Sequence, residues 1–360
     1  MTDNNKMRIV VGLSGGVDSS AAASLLVDQG YDVVGITLKV WPQDCVSRAE
    51  DKCCGPQAVM DARSVADKLD IPYYLVDESK EFQRDVIDYF ATEYKAGRTP
   101  NPCVMCNEKL KFGNLINRAR KLGAEYVATG HYARLEQRDG RTVLLRGRDV
   151  RKDQTYFLFS LGQEQLAHMM FPLGELQKIE TRKVARCVNL KTAEKQESQE
   201  ICFVPDKDYK KFLTTSGLVE EHRGEIVDTR GQVLGHHDGI EFYTIGQRKG
   251  LGISAPTPMY VIELDPENNR VVVGGEELLL RDEFRIDRCN WIAFDRLAKP
   301  IEASAAIRYN HPGTEATVIP GENGQATVKL REPQRAVTPG QACVFYQDDL
   351  VVGGGWIMRN

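Results

Sequence analysis

The chain has 360 residues, of which 42% are hydrophobic and 27% are charged, and its formal net charge is −4. This composition is typical of globular proteins, and the length suits two or three domains. No stretch approaches the roughly 18 apolar residues that a membrane-spanning helix needs. The first six residues are polar and a strand pattern follows at once, which leaves no room for a signal peptide. We therefore expect a cytoplasmic protein without a membrane partner.

Positive charge is concentrated in the middle of the sequence. Residues 95–211 contain 23 Lys and Arg against 14 Asp and Glu, a net charge of +9, so the remainder carries −13. A basic middle between acidic ends is the pattern of a surface that binds a polyanion. Chance clustering on a solvated surface gives the same count, so charge alone leaves both interpretations open.

Strands and helices alternate through the first half of the chain. Apolar runs predict strands at 7–13, 31–41 and 72–77, and at 125–135 a strand that ends in a turn. Helical spacing predicts a helix through Ala21 and Leu26 that ends at Gly30, and further helices at 56–69 and 80–95. This alternation is typical of an α/β domain with a doubly wound parallel sheet, which we assign to residues 1–205.

The pattern changes after about residue 206. Short alternating segments are separated by Gly, Pro, Asn and Asp turns: GEIVDT, EFYTIG, PMYVIEL, NRVVVGG, ASAAIRY, EATVIP, ATVKLRE and ACVFYQ. Such segments are typical of antiparallel β-barrels or sandwiches. We predict a central β-rich domain at 206–280 and a C-terminal β-barrel at 281–360.

The segment Ser14–Ser19 (SGGVDS) lies between the first strand and the first helix. In an open α/β sheet this is where ligands bind, and glycines followed by a helix N-terminus suit an anion. An aspartate beside an anion indicates a bridging cation, so Asp18 is a candidate Mg²⁺ ligand. The spacing and lysine of a Walker loop do not occur here. The segment instead resembles the pyrophosphate-binding loop of the N-type ATP pyrophosphatases, which split ATP into AMP and pyrophosphate.

Two cysteines that are distant in sequence lie in polar, motif-rich segments. Residues 98–112 read RTPNPCVMCNEKLKF, in which the prolines and Asn101 predict irregular structure until after Cys106. The basic residues around Cys106 would lower the pKa of its thiol. Cys202 follows a polar stretch in SQEICFVP. The pair suits a nucleophile and its partner, although buried structural cysteines give the same pattern.

Long motifs throughout the chain resemble those of the tRNA-specific 2-thiouridylases, the MnmA/TrmU family. The matching stretches are GLSGGVDSS, GRTPNPCVMCN, ATGHYAR, KDQTYFL, QESQEICFVP, TIGQRKGLG, IRYNHPG, VTPGQACVFY and GGGWI. The resemblance implies ATP-dependent 2-thiolation of the wobble uridine of tRNA. It also implies an N-terminal domain like the adenine nucleotide alpha hydrolases, a C-terminal barrel that binds tRNA, and a persulfide or sulfide donor protein such as a cysteine desulfurase or sulfur relay.

The resemblance assigns roles to individual residues. ATP contacts are implied for Gly12, Leu13, Ser14, Gly15, Gly16, Val17, Asp18, Ser19, Leu38 and Gly130. The target base is lined by Asn101, Pro102 and Cys103. Contacts with tRNA are implied for His131, Lys152, Asp153, Gln154, Arg308, Tyr309 and Gln341. Cys106 and Cys202 are the two working thiols, which end the reaction as a disulfide.

Cys103 departs from the commonest pattern of the family. Many members have aspartate at this position, so any acid–base role of that aspartate is in doubt here. The cysteine creates a Cys-x-x-Cys pair with Cys106, and Cys202 is a possible third thiolate. Three cysteines can hold a [4Fe–4S] cluster with one open iron, so the sulfur carrier is either such a cluster or a persulfide on Cys202.

Two functions other than thiolation are considered for this chain, an ammonia-transferring synthetase and a non-catalytic RNA-binding module. A synthetase that delivers ammonia to an adenylated carbonyl would need neither the cysteine pair nor the basic middle. An RNA-binding module without catalysis would be expected to lose Asp18, Cys106 or Cys202. A second cysteine group, Cys45, Cys53 and Cys54, indicates a variable loop, and His236-His237 indicates an exposed turn.

Overall fold

The computed structural model describes residues 6–40, 55–195, 201–204 and 208–359. The helices are α1 (Val17–Asp28), α2 (Pro56–Leu69), α3 (Ser79–Phe82), α4 (Asp88–Lys95), α5 (Pro102–Met105), α6 (Leu115–Lys121), α7 (Gln163–Ala167), α8 (Lys178–Cys187) and α9 (Tyr209–Thr215). A π-helical segment, Gln83–Ile87, joins α3 to α4, and a second, Cys106–Asn114, joins α5 to α6. Short 3₁₀ turns occur at Thr155–Phe157, Lys191–Glu194, Ile240–Phe242 and Glu276–Leu279.

The strands of the first half are β1 (Arg8–Gly12), β2 (Asp32–Lys39), β3 (Tyr73–Asp77), β4 (Tyr126–Ala128), β5 (Ala133–Arg138), β6 (Arg141–Arg146) and β7 (Met169–Met170). Those of the second half are β8 (Gly224–Asp228), β9 (Val233–His237), β10 (Tyr260–Asp265), β11 (Arg270–Gly274), β12 (Leu280–Trp291), β13 (Ile301–Ala306), β14 (Thr314–Pro320), β15 (Ala326–Arg335), β16 (Ala342–Gln347) and β17 (Leu350–Ile357).

The chain divides into two compact units, and neither is one continuous stretch. The first unit comprises residues 1–86, 103–207 and 349–351. The second comprises residues 87–102, 208–348 and 352–360. The three predicted domain spans stay a prediction.

The first unit is built on a parallel sheet. Its strand order is β3-β2-β1-β4-β7, and all four pairings are parallel. Ile9 and Val11 of β1 lie in the core, where α1 contributes Ala23 and Leu26. Because α1 is rich in alanine and serine, it can be buried on several sides, as it is from Val17 to Leu26. The predicted α/β domain with a parallel sheet is therefore confirmed.

The second unit contains two β structures. Strands β8–β11 form a sheet of order β10-β11-β8-β9 in which β11 and β8 are parallel, so this sheet is mixed. Strands β12–β17 form a six-stranded antiparallel barrel that closes through pairing of β12 with β17. Its core includes Val318, Val328 and Cys343. The predicted C-terminal β-barrel is confirmed, whereas the expectation of purely antiparallel pairing is wrong for the central sheet.

Three local predictions are wrong. The segment before Cys106 is helical from Pro102, because proline lacks an N–H that the first position of a helix does not use. The segment EFYTIG is a 3₁₀ turn and loop instead of a strand. His237 lies in β9 and is buried, and one of its ring nitrogens is within hydrogen-bond distance of the Asn269 carbonyl. No helix within the described ranges is long and apolar enough to cross a membrane.

Candidate active site

The loop between β1 and α1 forms a backbone cradle. The Ser19 hydroxyl accepts a hydrogen bond from the Ser14 N–H at 3.1 Å and lies 3.1 Å from the Ser14 hydroxyl. Gly15 has a φ of +69°, and a Cβ there would lie 2.2 Å from the carbonyl oxygen of Ala58. Only glycine therefore fits this turn, because a side chain would collide with fixed backbone.

The cradle opens onto the N-terminus of α1. Within the described residues no side chain caps this helix, whose N-cap is Gly16. The first backbone N–H groups of a helix have no intrahelical acceptor, and the helix dipole favours negative charge there. The arrangement therefore suits a phosphate group.

Gly130, in the turn after β4, lies directly against this helix start. A Cβ at Gly130 would come within 2.6 Å of the Asp18 carbonyl carbon and of the Ser19 nitrogen. Both neighbours are backbone atoms that cannot swing aside. The close approach of the β4 turn thus depends on glycine, which brings the predicted ATP residue Gly130 against Asp18 and Ser19.

The carboxylate of Asp18 is bound to a lysine. Lys178, the first residue of α8, places its ammonium nitrogen 2.7 and 2.8 Å from the two carboxylate oxygens. The Tyr132 hydroxyl lies 2.9 Å from one of these oxygens and 2.9 Å from the Thr181 hydroxyl. Both oxygens contact the ammonium group, so Lys178 supplies positive charge beside the cradle. Binding of Mg²⁺ by Asp18 stays a prediction.

A second lysine contacts the loop. Lys195 donates hydrogen bonds to the Gly15 carbonyl at 3.1 Å and to Asp61 at 2.6 Å. Arg182 of α8 donates to the carbonyls of Ala193 and Lys195 and so fixes the segment that carries this lysine. Two lysines that are remote in sequence therefore border the predicted anion site.

The three candidate thiols all belong to the first unit and are half-buried. Cys103 lies in α5, and Cys106 begins the π-helical segment that leads to α6. Cys202 precedes Phe203, whose ring packs edge-on against the ring of Phe82 at 5.7 Å. Of the cations expected to surround Cys106, Lys109 is ion-paired with the neighbouring Glu108. A lowered thiol pKa stays a prediction.

A buried carboxylate holds the helix that carries Cys106. Glu78 is 1% exposed and accepts hydrogen bonds from Asn114 at 2.7 Å and from Arg118 at 3.1 and 3.2 Å. Asn107, next to Cys106, donates to the Phe157 carbonyl. These contacts tie both ends of the π-helical segment to the first unit.

Several residues predicted to contact tRNA form hydrogen bonds within the first unit. Asp153 accepts hydrogen bonds from Arg146, Gly147 and Thr155, and burial raises the pKa of its carboxyl. Gln154 accepts from the Tyr132 N–H. These residues shape the turn that presents the half-buried Lys152.

His131, also expected at the tRNA, is almost fully buried between Phe112 and Phe171, and its Nδ1 lies 2.8 Å from the Thr129 hydroxyl. Burial and the nearby Lys111 hold the pKa of His131 well below its ordinary value. The imidazole is therefore neutral at physiological pH.

The other predicted RNA and base residues lie in the second unit. Arg308 and Tyr309 are exposed in the turn after β13. Gln341 donates a hydrogen bond to the Thr99 carbonyl, which places it against the segment that leads to Asn101 and Pro102.

The described residues contain no group of three or more His, Cys, Asp or Glu side chains arranged to hold a metal ion. Binding of a [4Fe–4S] cluster by Cys103, Cys106 and Cys202 therefore stays a prediction. The second cysteine group, Cys45, Cys53 and Cys54, lies outside the described residues.

Comparison with known proteins covers nearly the whole chain. Residues 7–206 match the tRNA methyl transferase HUP domain, 210–275 the tRNA methyl transferase PRC-barrel domain, and 281–357 the aminomethyltransferase beta-barrel domain. The tRNA-specific 2-thiouridylase MnmA of Clostridium perfringens is 49% identical over 353 residues, 98% of each chain. The MnmA protein of Geobacter metallireducens is 50% identical over 362 residues, 99% of this chain and 98% of that one.

The chain belongs to the MnmA family of tRNA-specific 2-thiouridylases. Among solved structures, a 4-thiouridine synthetase–RNA complex with bound ATP is similar over 59% of this chain and 50% of that chain. The sequence identity is 17% and the TM-score 0.35, which is a weak likeness.

Sequence reasoning about this MnmA-family chain missed Lys178, Lys195 and Glu78. Lys178 lies 160 positions from its partner Asp18, and Lys195 lies 180 positions from Gly15. No local motif marks either lysine. The one sequence feature that includes both lysines is the excess of positive charge in residues 95–211.

Proposed function

We propose that this chain is an ATP-consuming tRNA uridine 2-sulfurtransferase, which converts the wobble uridine to 2-thiouridine and releases AMP and pyrophosphate. One observation carries the proposal: relatives named tRNA-specific 2-thiouridylase are 49–50% identical to it over 97–99% of its length. The geometry of the first unit agrees with this chemistry, because that unit contains both an anion-binding loop and the two expected thiols.

The first step is adenylation of the target base. The 2-oxygen of uridine attacks the α-phosphorus of ATP, the bond to the bridging oxygen breaks, and pyrophosphate leaves with that electron pair. The N–H groups at the start of α1 and the Ser14 and Ser19 hydroxyls are placed to bind the departing pyrophosphate. Lys178, oriented by Asp18, adds the positive charge. We assign no step to Mg²⁺ at Asp18.

The second step transfers sulfur. The terminal sulfur of a persulfide on Cys202 attacks C2 and AMP departs, which leaves the base joined to Cys202 through a disulfide. The Cys106 thiolate then attacks the Cys202 sulfur, so that 2-thiouridine is released and a Cys106–Cys202 disulfide forms. A two-electron reduction by an external dithiol restores both thiols. A direct nucleophilic role of Cys106 at C2 is the alternative order of events.

The remaining assignments concern the partners. Asn101, Pro102 and Cys103 line the target base, and the basic middle together with Arg308 and Tyr309 binds the tRNA. A wobble base in a loop is unstacked easily, which lets it enter a pocket. The sulfur comes from a persulfide or sulfide donor protein, and the location is cytoplasmic.

Cysteine variants test the proposal. Cys106→Ser and Cys202→Ser should each eliminate 2-thiouridine, measured by mass spectrometry of tRNA nucleosides from complemented cells. Cys187→Ser is the matched control, because this thiol is exposed on α8 of the same unit and should be dispensable. Retained thiolation in Cys106→Ser would contradict the two-thiol mechanism. Anaerobic purification followed by iron and sulfide assays tests for a cluster. About four irons per chain would show that a [4Fe–4S] cluster is present and would contradict the persulfide mechanism.

A further inference from the structure

Residues 87–102, here called the base-lining segment because they end in Asn101 and Pro102, fold as part of the second unit together with the β-barrel. Cys103 and Cys106 belong to the first unit. In α4, the Tyr94 ring stacks on Tyr209 at 4.9 Å, and the Phe90 ring lies 6.5 Å from Phe212. Within the second unit, α4 therefore anchors the start of the base-lining segment.

After α4 the chain turns sharply and is fixed again. Gly97 has a φ of +67°, and a Cβ there would lie 3.2 Å from Leu264. Arg98 forms a bidentate pair with the buried carboxylate of Glu93, at 2.6 and 2.7 Å. Paired parallel hydrogen bonds of this kind restrict geometry strongly. The residue before Thr99 is thus held in one position.

The turn between β15 and β16 binds both backbone polar groups of the next residue, Thr99. The Thr99 N–H donates to the Pro339 carbonyl at 2.8 Å, and the side-chain amide of Gln341 donates to the Thr99 carbonyl at 2.9 Å. The same amide nitrogen lies 3.4 Å from the Pro100 carbonyl. Between these contacts sits Gly340, where a Cβ would lie 2.9 Å from Arg98 and 3.0 Å from Thr99.

The turn at residues 338–341 is itself fixed by hydrogen bonds. The Gly340 N–H donates to the Ile357 carbonyl, and the Ile357 N–H donates to the Gln341 carbonyl, each at 2.9 Å. These bonds attach the turn to β17 of the barrel. The Thr338 hydroxyl donates to the Ala336 carbonyl and closes the turn from the other side.

We infer that Gln341, seated by Gly340, is a positioning residue for the thiolation reaction: it fixes the backbone of Thr99 and Pro100 and so places Asn101 and Pro102 against the target uridine. The inference rests on the proposed function and changes the role expected for Gln341, since its amide N–H groups are directed at the protein backbone. Loss of this contact should impair the chemical step more than the binding of tRNA.

The test uses Gln341→Met, which keeps the length of the side chain but removes the donor. Gln347→Met is the matched control, because Gln347 makes the same kind of bond, to the Glu302 carbonyl at 2.8 Å, elsewhere on the barrel. At saturating ATP and tRNA we expect kcat of Gln341→Met to fall about 10- to 100-fold, since small misplacements at a reacting centre cost this much. KM for tRNA and the tRNA dissociation constant should stay within about twofold. The control should match the wild type.

Hydrogen exchange of the full-length protein without RNA gives a second measurement. The Thr99 amide should exchange faster in Gln341→Met than in the wild type and the control. Unchanged exchange overturns the inference, and so does a weakened tRNA affinity with an unchanged kcat, which would make Gln341 an RNA ligand only. If the wild type makes no 2-thiouridine, the proposed function fails, and the exchange result still decides whether Gln341 holds Thr99.

Discussion

Gly130→Ala is the substitution whose effect the structure defines most sharply. An ideal Cβ at this position lies 2.6 Å from two backbone atoms of Asp18 and Ser19, whereas ordinary van der Waals contact begins at 3.4 Å. The start of α1 and the β4 turn must therefore separate by about 0.8 Å, which is overpacking of a kind that costs about 1–3 kcal/mol. Because the displaced N–H groups are those proposed to bind phosphate, function should suffer more than stability.

We expect Gly130→Ala to weaken ATP binding by about 10- to 100-fold. Isothermal titration with a non-hydrolysable ATP analogue measures this, and thermal unfolding measures stability separately. Gly162→Ala is the control, because the nearest atom to its Cβ is a side-chain oxygen of Gln165 at 3.9 Å. Wild-type ATP affinity in a folded Gly130→Ala protein would refute the assignment of this helix start to ATP.

Three further predictions concern charge. Lys178→Met should lower ATP-dependent pyrophosphate release by about 100-fold or more, because a charge-assisted contact beside the phosphates is lost. The control is Lys183→Met, at an exposed position on the same helix, which should release pyrophosphate at the wild-type rate; equal rates in the two variants would exclude a role of Lys178 at the phosphates. The pKa of His131 is held below its ordinary 6.5, so the unfolded chain binds more protons and stability should fall as pH drops below about 6.5. Urea unfolding of His131→Gln should show a flatter acid slope, and a slope equal to that of the wild type would contradict the reasoning. Binding of tRNA should weaken steeply with salt, and Lys152→Ala should reduce the log–log slope by about one; a flat salt dependence would mean that the basic middle is not the RNA surface.

The sequence predicted those elements that depend on local pattern. Helix α2 begins at Pro56 and ends at Leu69 as predicted, since helical spacing and a proline at the first helical position are local signals. The apolar runs of β1 and β2 likewise identified buried parallel strands. The same local reasoning fails at Pro102, because a proline can begin a helix as well as interrupt one.

Contacts between distant segments could not be predicted. The ion pair of Lys178 with Asp18 joins positions 160 residues apart, and the bond from Gln341 to Thr99 joins positions 242 residues apart. Neither pairing leaves a periodicity or spacing in the sequence, because each is set by tertiary packing. The other candidate site residues follow from motif resemblance, whereas the roles of Lys178 and Gln341 follow from geometry.

The assignment of residues 87–102 to the second unit has a consequence for biosynthesis. When the ribosome has synthesised all strands of the parallel sheet, α4 has already been synthesised as well. Its packing partners Tyr209 and Phe212, and the barrel turn at 338–341 that binds Thr99, are synthesised only later. At about 5–20 residues per second, the segment waits for roughly 10–50 seconds before its last partners emerge. During that interval the aromatic face of Phe90 and Tyr94 is available to chaperones, and a fragment truncated near residue 207 would retain that exposure permanently. Expression of the isolated N-terminal half is therefore expected to yield aggregates instead of a minimal enzyme.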